Sequence, residues 1–345
     1  MLARQLASAA CRLGRSRLDF RCSGFPCTWG VGSASIVLRK YNTKSQATSN
    51  AERSHVIDSK RPPRFYVPEH LLKNSTAGTT FQLNTEETHH ALRVLRLREG
   101  ARLEVCDGNG GLVLAELRGI AHNNKAYVET IEDIRQVDWQ GPKWEVVAAC
   151  FSLKGGRADW LVEKCTELGA WGVRPILTVR SPHLGRKQVV IEVATIDEDS
   201  EEEVEDVETP NQTRMKRWER VAQSAVKQCF RAHTLAMRKP LHVSSLASIV
   251  AAAPLALVGM EGAPPVAQVL QEEAAAVREA SLPGAKPGLL LIGPEGDFTP
   301  EEVERLISAG AKPVGLGPNR LRVETAALAL LAATTFCIPS VSSDV

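Results

Sequence analysis

Two glycine-rich segments near the C-terminus carry the residues best suited to chemistry: Gly293-Pro294-Glu295-Gly296-Asp297-Phe298 and Gly317-Pro318-Asn319-Arg320-Leu321-Arg322-Val323-Glu324-Thr325. Glycine lets a main chain approach a ligand with no side chain in the way. Either segment alone also reads as a plain turn between a strand and a helix. Together they offer main-chain groups for a small molecule and two candidate reactive side chains. Arg322 can stabilise developing negative charge, because a guanidinium keeps its proton. Glu324 can serve as a base, or simply as a helix N-terminal carboxylate favoured by the helix dipole. Neither segment fits GxGxxG or GxxxxGK[ST], so the usual signals of NAD enzymes and P-loop NTPases are missing.

The flanking elements place both segments at strand ends. Leu289 to Ile292 reads as a strand, and the helix after it opens with Thr299 as N-cap, Pro300 in the first turn and Glu302 completing a capping box. Ligands of open α/β sheets bind outside the carboxyl ends of strands. After EEVERLISAG and its Gly310 cap, the strand KPVGL leads into the second segment, and the apolar helix AALALLAATTF follows. The alternation starts near Trp144 with WEVVAACFSL, apolar enough for a strand buried on both faces. Lys154-Gly155-Gly156-Arg157 then leads into the helix ADWLVEKCTEL, capped by Gly169. The strand VRPILTV, the basic helix RWERVAQSAVKQCF, the strand APLALVGM and the helix AQVLQEEAAAVREA continue the pattern. Residues 142–340 thus read as an α/β domain with a parallel sheet. The acidic block Asp197 to Glu208 interrupts it, and an insertion at about 192–212 has too few apolar residues to order itself.

Residues 62–138 read as a smaller module of short strands. RFYVP suggests a first strand, and LEVCDGNGGLVLAEL suggests two strands joined by Asp107-Gly108-Asn109-Gly110-Gly111, since Gly and Asx residues supply positive φ. THHALRVLRLREG reads as a short helix with an apolar side and a basic side. Residues 1–60 hold Arg4, Arg12, Arg15, Arg17, Arg21 and Arg39 with many serines and alanines and almost no acid, the composition of an organellar transit peptide. Leu2, Leu6, Ala9, Ala10 and Leu13 can share one helical face, a pattern closer to mitochondrial than to chloroplast leaders.

The formal charge of +2 over 345 residues conceals this segregation of acid and base. A basic helix beside an acidic block fits a polyanionic partner, although a solvated face explains such a run equally well. Three of the eight cysteines, Cys11, Cys22 and Cys27, lie in the leader, and the rest form no CxxC pair. Zinc sites and disulfide scaffolds are therefore not expected. His89 and His90 are adjacent, which places them poorly as a metal pair and favours packing or RNA contact. No apolar run reaches the roughly 18 residues of a membrane span.

LLLIGPEGDFTPEEVERL followed by GLGPNRLRVETAAL resembles the C-terminal signature of the RsmE family, SPOUT-class methyltransferases of N3 of a uridine in small-subunit (16S-type) ribosomal RNA. RFYVPEHL and HHALRVLRLREGARLEVCDGNGG look like that family's PUA-like barrel, and KGGRADWLVEKCTELGAWGVRPILT like its first helix and strand. The likeness runs from Arg64 to about Phe336, apart from the acidic insertion.

This resemblance implies an α/β SPOUT C-terminal domain, a trefoil-knotted parallel sheet, preceded by a small PUA-like β-barrel. It also implies S-adenosyl-L-methionine as cofactor, small-subunit ribosomal RNA as partner and a homodimer, with neither metal nor membrane. Carried over by motif, Gly293, Pro294, Glu295, Gly296, Leu316, Gly317, Leu321, Arg322 and Thr325 line the cofactor site, joined by Glu324. Asp297 and Phe298 depart from the commoner small and apolar residues after GPEG. KQCFRAH departs from the usual EQSGR-like segment, which bears on RNA contacts more than on methyl transfer.

Uracil N3 keeps its proton at neutral pH, so its deprotonation must be assisted or the resulting anion stabilised, with orientation as the other contribution. Arg322 and Glu324 are the expected catalytic residues. Arg93, Arg96 and Arg98 from the barrel, and Arg217, Arg220, Lys227 and Arg231 from the basic helix and its end, are the expected phosphate contacts. Two rival readings are a SPOUT enzyme acting on a ribose 2′-hydroxyl and an idle RNA-binding assembly factor. The RFYVPEHL start argues against the first, and the intact GPEG and LRxETA elements against the second.

Overall fold

The computed structural model describes residues 61–181, 210–282 and 284–336. The leader, all of the acidic block and the end of the assigned second domain lie outside the described residues.

The first module holds β1 (Arg64–Tyr66), α1 (Glu69–Leu72), β2 (Thr80–Gln82), α2 (Thr85–His89), β3 (Arg102–Cys106), β4 (Gly111–Ile120), β5 (Ala126–Thr130) and β6 (Arg135–Gln136). A single π-helical turn, His90–Val94, continues α2. The strands form one sheet in the order β1-β3-β4-β5-β2, with β6 on β4. The expected hairpin is present: Cys106 pairs with Leu112 across the turn. Asp107 accepts hydrogen bonds from the Asn109 and Gly111 amides at 2.7 and 2.9 Å, which fixes the turn locally. Phe65, Leu72, Leu83, Leu103, Val113 and Val128 form its core.

The second module holds β7 (Trp144–Ala148), α3 (Arg157–Glu167), β8 (Gly172–Leu177), α4 (Pro210–Cys229), β9 (Ala236–Met237), β10 (Leu241–His242), α5 (Ala247–Ala251), β11 (Ala256–Gly259), α6 (Val266–Glu272), α7 (Ala274–Ala280), β12 (Gly288–Ile292), α8 (Pro300–Ser308), β13 (Lys312–Val314) and α9 (Val323–Phe336). Its strands run parallel in the order β10-β8-β7-β12-β11-β13, with β9 on β8. Alternate residues face opposite layers, as a strand requires. Val146, Ala148, Leu257, Leu290 and Ile292 join the core on one face. Val147, Val258, Leu289 and Leu291 join the core on the other. Burying each of the valine, leucine and isoleucine side chains contributes roughly 1.5–3 kcal/mol, which is why these strands read as unbroken apolar runs.

Two boundaries differ from expectation, and β9, β10 and α5 stand between α4 and β11 where no element was expected. α4 begins at Pro210, so residues 210–212 belong to the helix and not to the insertion. The stretch AQVLQEEAAAVREA is two helices, because Glu273 leaves helical geometry at φ −97° and ψ 22°.

The two modules meet along α4 and the hairpin turn. The Thr234 amide donates to the Gly108 carbonyl at 2.7 Å, and the Gly110 amide to the Ala232 carbonyl at 3.1 Å. Gly108 is left-handed at φ +75°, and a Cβ there would lie 2.1 Å from the Thr234 hydroxyl, so only glycine fits.

Candidate active site

β12 ends in the first glycine-rich loop. Gly293 favours glycine, since a Cβ there would press to 3.0 Å from the Phe298 amide nitrogen and 3.1 Å from its ring. The Asp297 amide donates to the Pro294 carbonyl at 2.9 Å, and Asp297 takes φ +58° to close the turn. Thr299 then caps α8 through the expected capping box, with reciprocal bonds between Thr299 and Glu302 at 2.8 and 3.2 Å. The second Glu302 carboxylate oxygen accepts from the Val179 amide at 2.9 Å, so the same residue also holds the segment after β8.

β13 ends in the second loop, which is stitched to both of its neighbours. The Gly315 amide donates to the Pro264 carbonyl at 2.7 Å, tying in the segment after β11. Arg320 donates to the Glu295 carbonyl at 2.8 Å and to the Asp297 carboxylate at 3.2 Å, tying in the first loop. Arg180 donates to the Gly296 carbonyl at 2.8 Å. Loops from the carboxyl ends of three adjacent parallel strands, β11, β12 and β13, are thereby joined, at the place where open α/β sheets bind ligands.

A charged cluster lies between the two glycine-rich loops. Arg157, at the start of α3, donates to the Glu295 carboxylate at 2.9 Å and lies 3.5 Å from the Glu324 carboxylate. The bond from Glu295 raises the Arg157 pKa further, with Glu324 adding to the effect. The Glu324 side chain is 7% exposed, and its second oxygen is buried without a hydrogen-bond partner. Arg322 and Thr325 are exposed on either side of it in sequence, Leu316 and Leu321 are half-buried, Pro294 is buried, and Gly317 is exposed at φ +107° with open space where a Cβ would stand. A cleft of about 660 Å³ runs between the first loop, α8 and the end of β11, walled by Gly259, Met260, Gly293, Asp297, Phe298 and Val303.

Of the expected site residues, the structure joins Glu295 and Glu324 through Arg157, and it places Gly293 in the cleft wall. Leu316, Gly317, Leu321 and Thr325 lie in the second loop or at the start of α9 and do not line that cleft. Sequence reasoning missed Arg157, Arg180 and Arg320, along with Gly259 and Met260 at the end of β11. A signal existed for Arg157, which follows two glycines in a strand-to-helix loop. None existed for Arg180, whose partner is a carbonyl 116 residues away.

Five of the expected RNA contacts are exposed: Arg93, Arg96, Arg98, Arg217 and Arg220. Arg217 pairs with Asp159. The other two are structural. Lys227 donates to the buried Glu87 carboxylate at 2.6 Å, bridging α4 to α2. Arg231 donates to the Thr166 and Ala170 carbonyls at 2.9 and 2.6 Å and lies over the Trp139 ring, and burial lowers its pKa to about 10. Packing thus occupies both cations, and neither is presented to a phosphate. His90 packs against Phe65 at 5.7 Å between ring centroids. Among the described residues, no group of three or more His, Cys, Asp or Glu side chains is placed to hold a metal ion, and no helix is long and apolar enough to cross a membrane.

A PUA-like module followed by a parallel-sheet SPOUT methyltransferase fold defines the class, an RNA methyltransferase. The family described as RNA methyltransferase domain matches residues 195–335, and the RNA methyltransferase PUA domain matches residues 83–131. Within that class, the chain is a relative of proteins named ribosomal RNA small subunit methyltransferase E. It is 28% identical over 269 residues to the one from Synechocystis, covering 77% of this chain and 74% of that protein. The Bacillus subtilis protein is 26% identical over 261 residues, covering 74% of this chain and 90% of its own. The fold is shared with the solved structure of ribosomal RNA small subunit methyltransferase E from Neisseria gonorrhoeae bound to S-adenosyl methionine, at TM-score 0.58 and 22% identity, covering 79% and 96% of the two chains.

Proposed function

We propose that this protein belongs to the RsmE family and methylates N3 of a uridine in small-subunit ribosomal RNA, with S-adenosyl-L-methionine as methyl donor. The observation that carries the reading is the Arg157, Glu295 and Glu324 cluster held between the two glycine-rich loops that follow β12 and β13, the strands on either side of β11. The residues present fit such a cofactor. Gly296 and Gly317 leave main chain accessible, and the unpartnered buried oxygen of Glu324 can accept a hydrogen bond from a ligand. Gly293, Pro294, Glu295, Gly296, Leu316, Gly317, Leu321, Arg322 and Thr325 are the residues assigned to hold it. When bound, that cofactor supplies an electrophilic methyl group.

The chain's own part is to orient the uracil and manage the N3 proton. Arg322, exposed at the start of α9, stabilises negative charge on the base or its phosphate. Glu324 accepts the N3 proton, while Arg157 fixes the carboxylate from the opposite side. Its place in the first turn of α9 also suits the helix dipole, so both readings of Glu324 stand on this geometry. Arg93, Arg96, Arg98, Arg217 and Arg220 attract the phosphate backbone, a contribution that weakens as salt rises.

The trefoil knot and the homodimer belong to this proposal through the family resemblance, and an organellar location, mitochondrial before chloroplast, through the arginine-rich leader. Mapping N3-methylated uridines in organellar small-subunit RNA with and without the protein tests the reading. A site lost on deletion and regained on re-expression is the expected result. Unchanged uridines, with a ribose methyl lost instead, would turn the assignment to a 2′-hydroxyl enzyme.

A further inference from the structure

On the β7 side of the charged cluster lies a second groove, of about 500 Å³, bounded by the loop after β7 and the first turns of α4. Its back wall is a stack. The Phe151 and Trp218 rings pack at 5.3 Å between centroids, and both are buried. The Arg214 guanidinium lies over the two rings, 5.4 and 5.6 Å from their centroids, and donates to the Phe151 carbonyl at 3.4 Å. That arrangement turns a flexible side chain into a fixed, flat, positively charged platform. The indole N–H of Trp218 donates to Asp159 at 3.0 Å, and Arg217 pairs with the same carboxylate, so the helix face behind the platform is braced.

The opposite wall is Lys154 and two consecutive left-handed glycines, Gly155 at φ +63° and Gly156 at φ +78°, each with nothing within 4 Å of where a Cβ would stand. Lys154 is exposed, and so is most of Arg217. A flat cation beside open backbone and two further cations suits a ligand with both a π-face and an anionic group. Unpaired nucleotides have that chemistry: their bases stack on guanidinium planes and their phosphates take basic side chains. Gly156 is followed by Arg157, which reaches Glu295, so a strand lying in this groove leads directly to the charged cluster.

We propose that this groove holds one unpaired nucleotide of the RNA substrate, its base stacked on Arg214 and its phosphate between Lys154 and Arg217. The assignment rests on the reading of this protein as an RNA-modifying enzyme and adds where the strand enters.

Fluorescence anisotropy on the full chain, with a short uridine-containing single strand and a duplex of equal length at fixed salt, tests it. Arg214→Lys keeps the charge and loses the flat stack. It is expected to weaken single-strand binding about tenfold and leave duplex binding unchanged, because a duplex hides its base faces. Lys154→Ala is expected to weaken both. Unaltered single-strand binding by Arg214→Lys, or equal loss for both forms, would overturn the proposal. Should Arg214→Lys melt early, photocrosslinking of a 4-thiouridine strand to the unmodified protein decides. Adducts within residues 151–156 or 214–218 support the groove, and adducts confined elsewhere overturn it. Failure here with uridine methylation intact removes only the groove. Strand binding that obeys these expectations without uridine methylation removes only the proposed reaction.

Discussion

Arg157 lies 3.5 Å from Glu324 and 2.9 Å from Glu295, one guanidinium shared by carboxylates from the two glycine-rich loops. The Glu324 oxygen without a partner is therefore kept in place from the opposite side of its carboxylate. If Glu324 moves a proton, Glu324→Gln is expected to lower turnover by about a hundredfold or more, with cofactor binding by calorimetry unchanged. Unchanged turnover with intact cofactor binding would leave Glu324 only its place at the start of α9. Arg157→Ala is expected to lower turnover as well, and the double variant to be no slower than the worse single one, since groups acting as a unit are not additive. Full additivity in single-turnover assays would separate the two residues.

Cations on and beside α4 divide into two kinds, and stability distinguishes them from binding. Lys227 and Glu87 have side chains only 15% and 6% exposed, so Lys227→Ala strands a buried carboxylate and is expected to cost about 3 kcal/mol in urea unfolding. Arg220→Ala, on an exposed residue, is expected to leave unfolding unchanged and to reduce the salt dependence of RNA binding by about one unit of slope. A Lys227→Ala protein as stable as its parent would return that lysine to the RNA-contact set.

This division marks the limit of what the sequence discloses. The strands β7, β8, β11, β12 and β13, the Thr299 capping box, the Asp107 to Gly111 turn and both glycine-rich loops were legible, because each depends on residues a few positions apart, whereas β9, β10 and α5 are too short to leave a periodic signal. Lys227 and Arg231 read as members of a basic helical run, since local spacing records charge and not the partner. Glu87 is 140 residues from Lys227, and the carbonyls that bind Arg231 are 61 and 65 residues away. Arg157 supplies the reverse case. Its neighbours announced a loop, but its role depends on Glu295 and Glu324, brought to it by β12 and α9.

The joint between the modules carries a titratable group with a definite sign. His233 sits against the edge of Trp139 at 5.3 Å between centroids and bridges to Asn109 of the hairpin turn. Burial, and after it the charge of Arg231, lowers its pKa below the ordinary 6.5. The unfolded chain thus takes up a proton at higher pH than the folded one. Stability from this residue is complete above 6.5, declines as pH falls toward the lowered value, and is gone below it. Urea midpoints measured across that window are expected to fall with acidity, and to fall less steeply in His233→Gln. Identical slopes for the two proteins would show that His233 is not the group responsible.

Glu302 links helix capping to the candidate site, which makes it separable from Thr299. Thr299→Ala removes one side of the capping box and is expected to cost about 1 kcal/mol. Glu302→Ala removes the other side and also the bond it accepts from the Val179 amide at 2.9 Å, so its expected cost is larger, about 2 kcal/mol. Val179 precedes Arg180, whose guanidinium holds the Gly296 carbonyl at 2.8 Å, so releasing Val179 loosens the first glycine-rich loop as well as the helix. Calorimetric titration with S-adenosyl-L-methionine is expected to show weaker binding by Glu302→Ala than by Thr299→Ala. Equal affinities for the two variants would confine Glu302 to capping and break the proposed connection through Arg180.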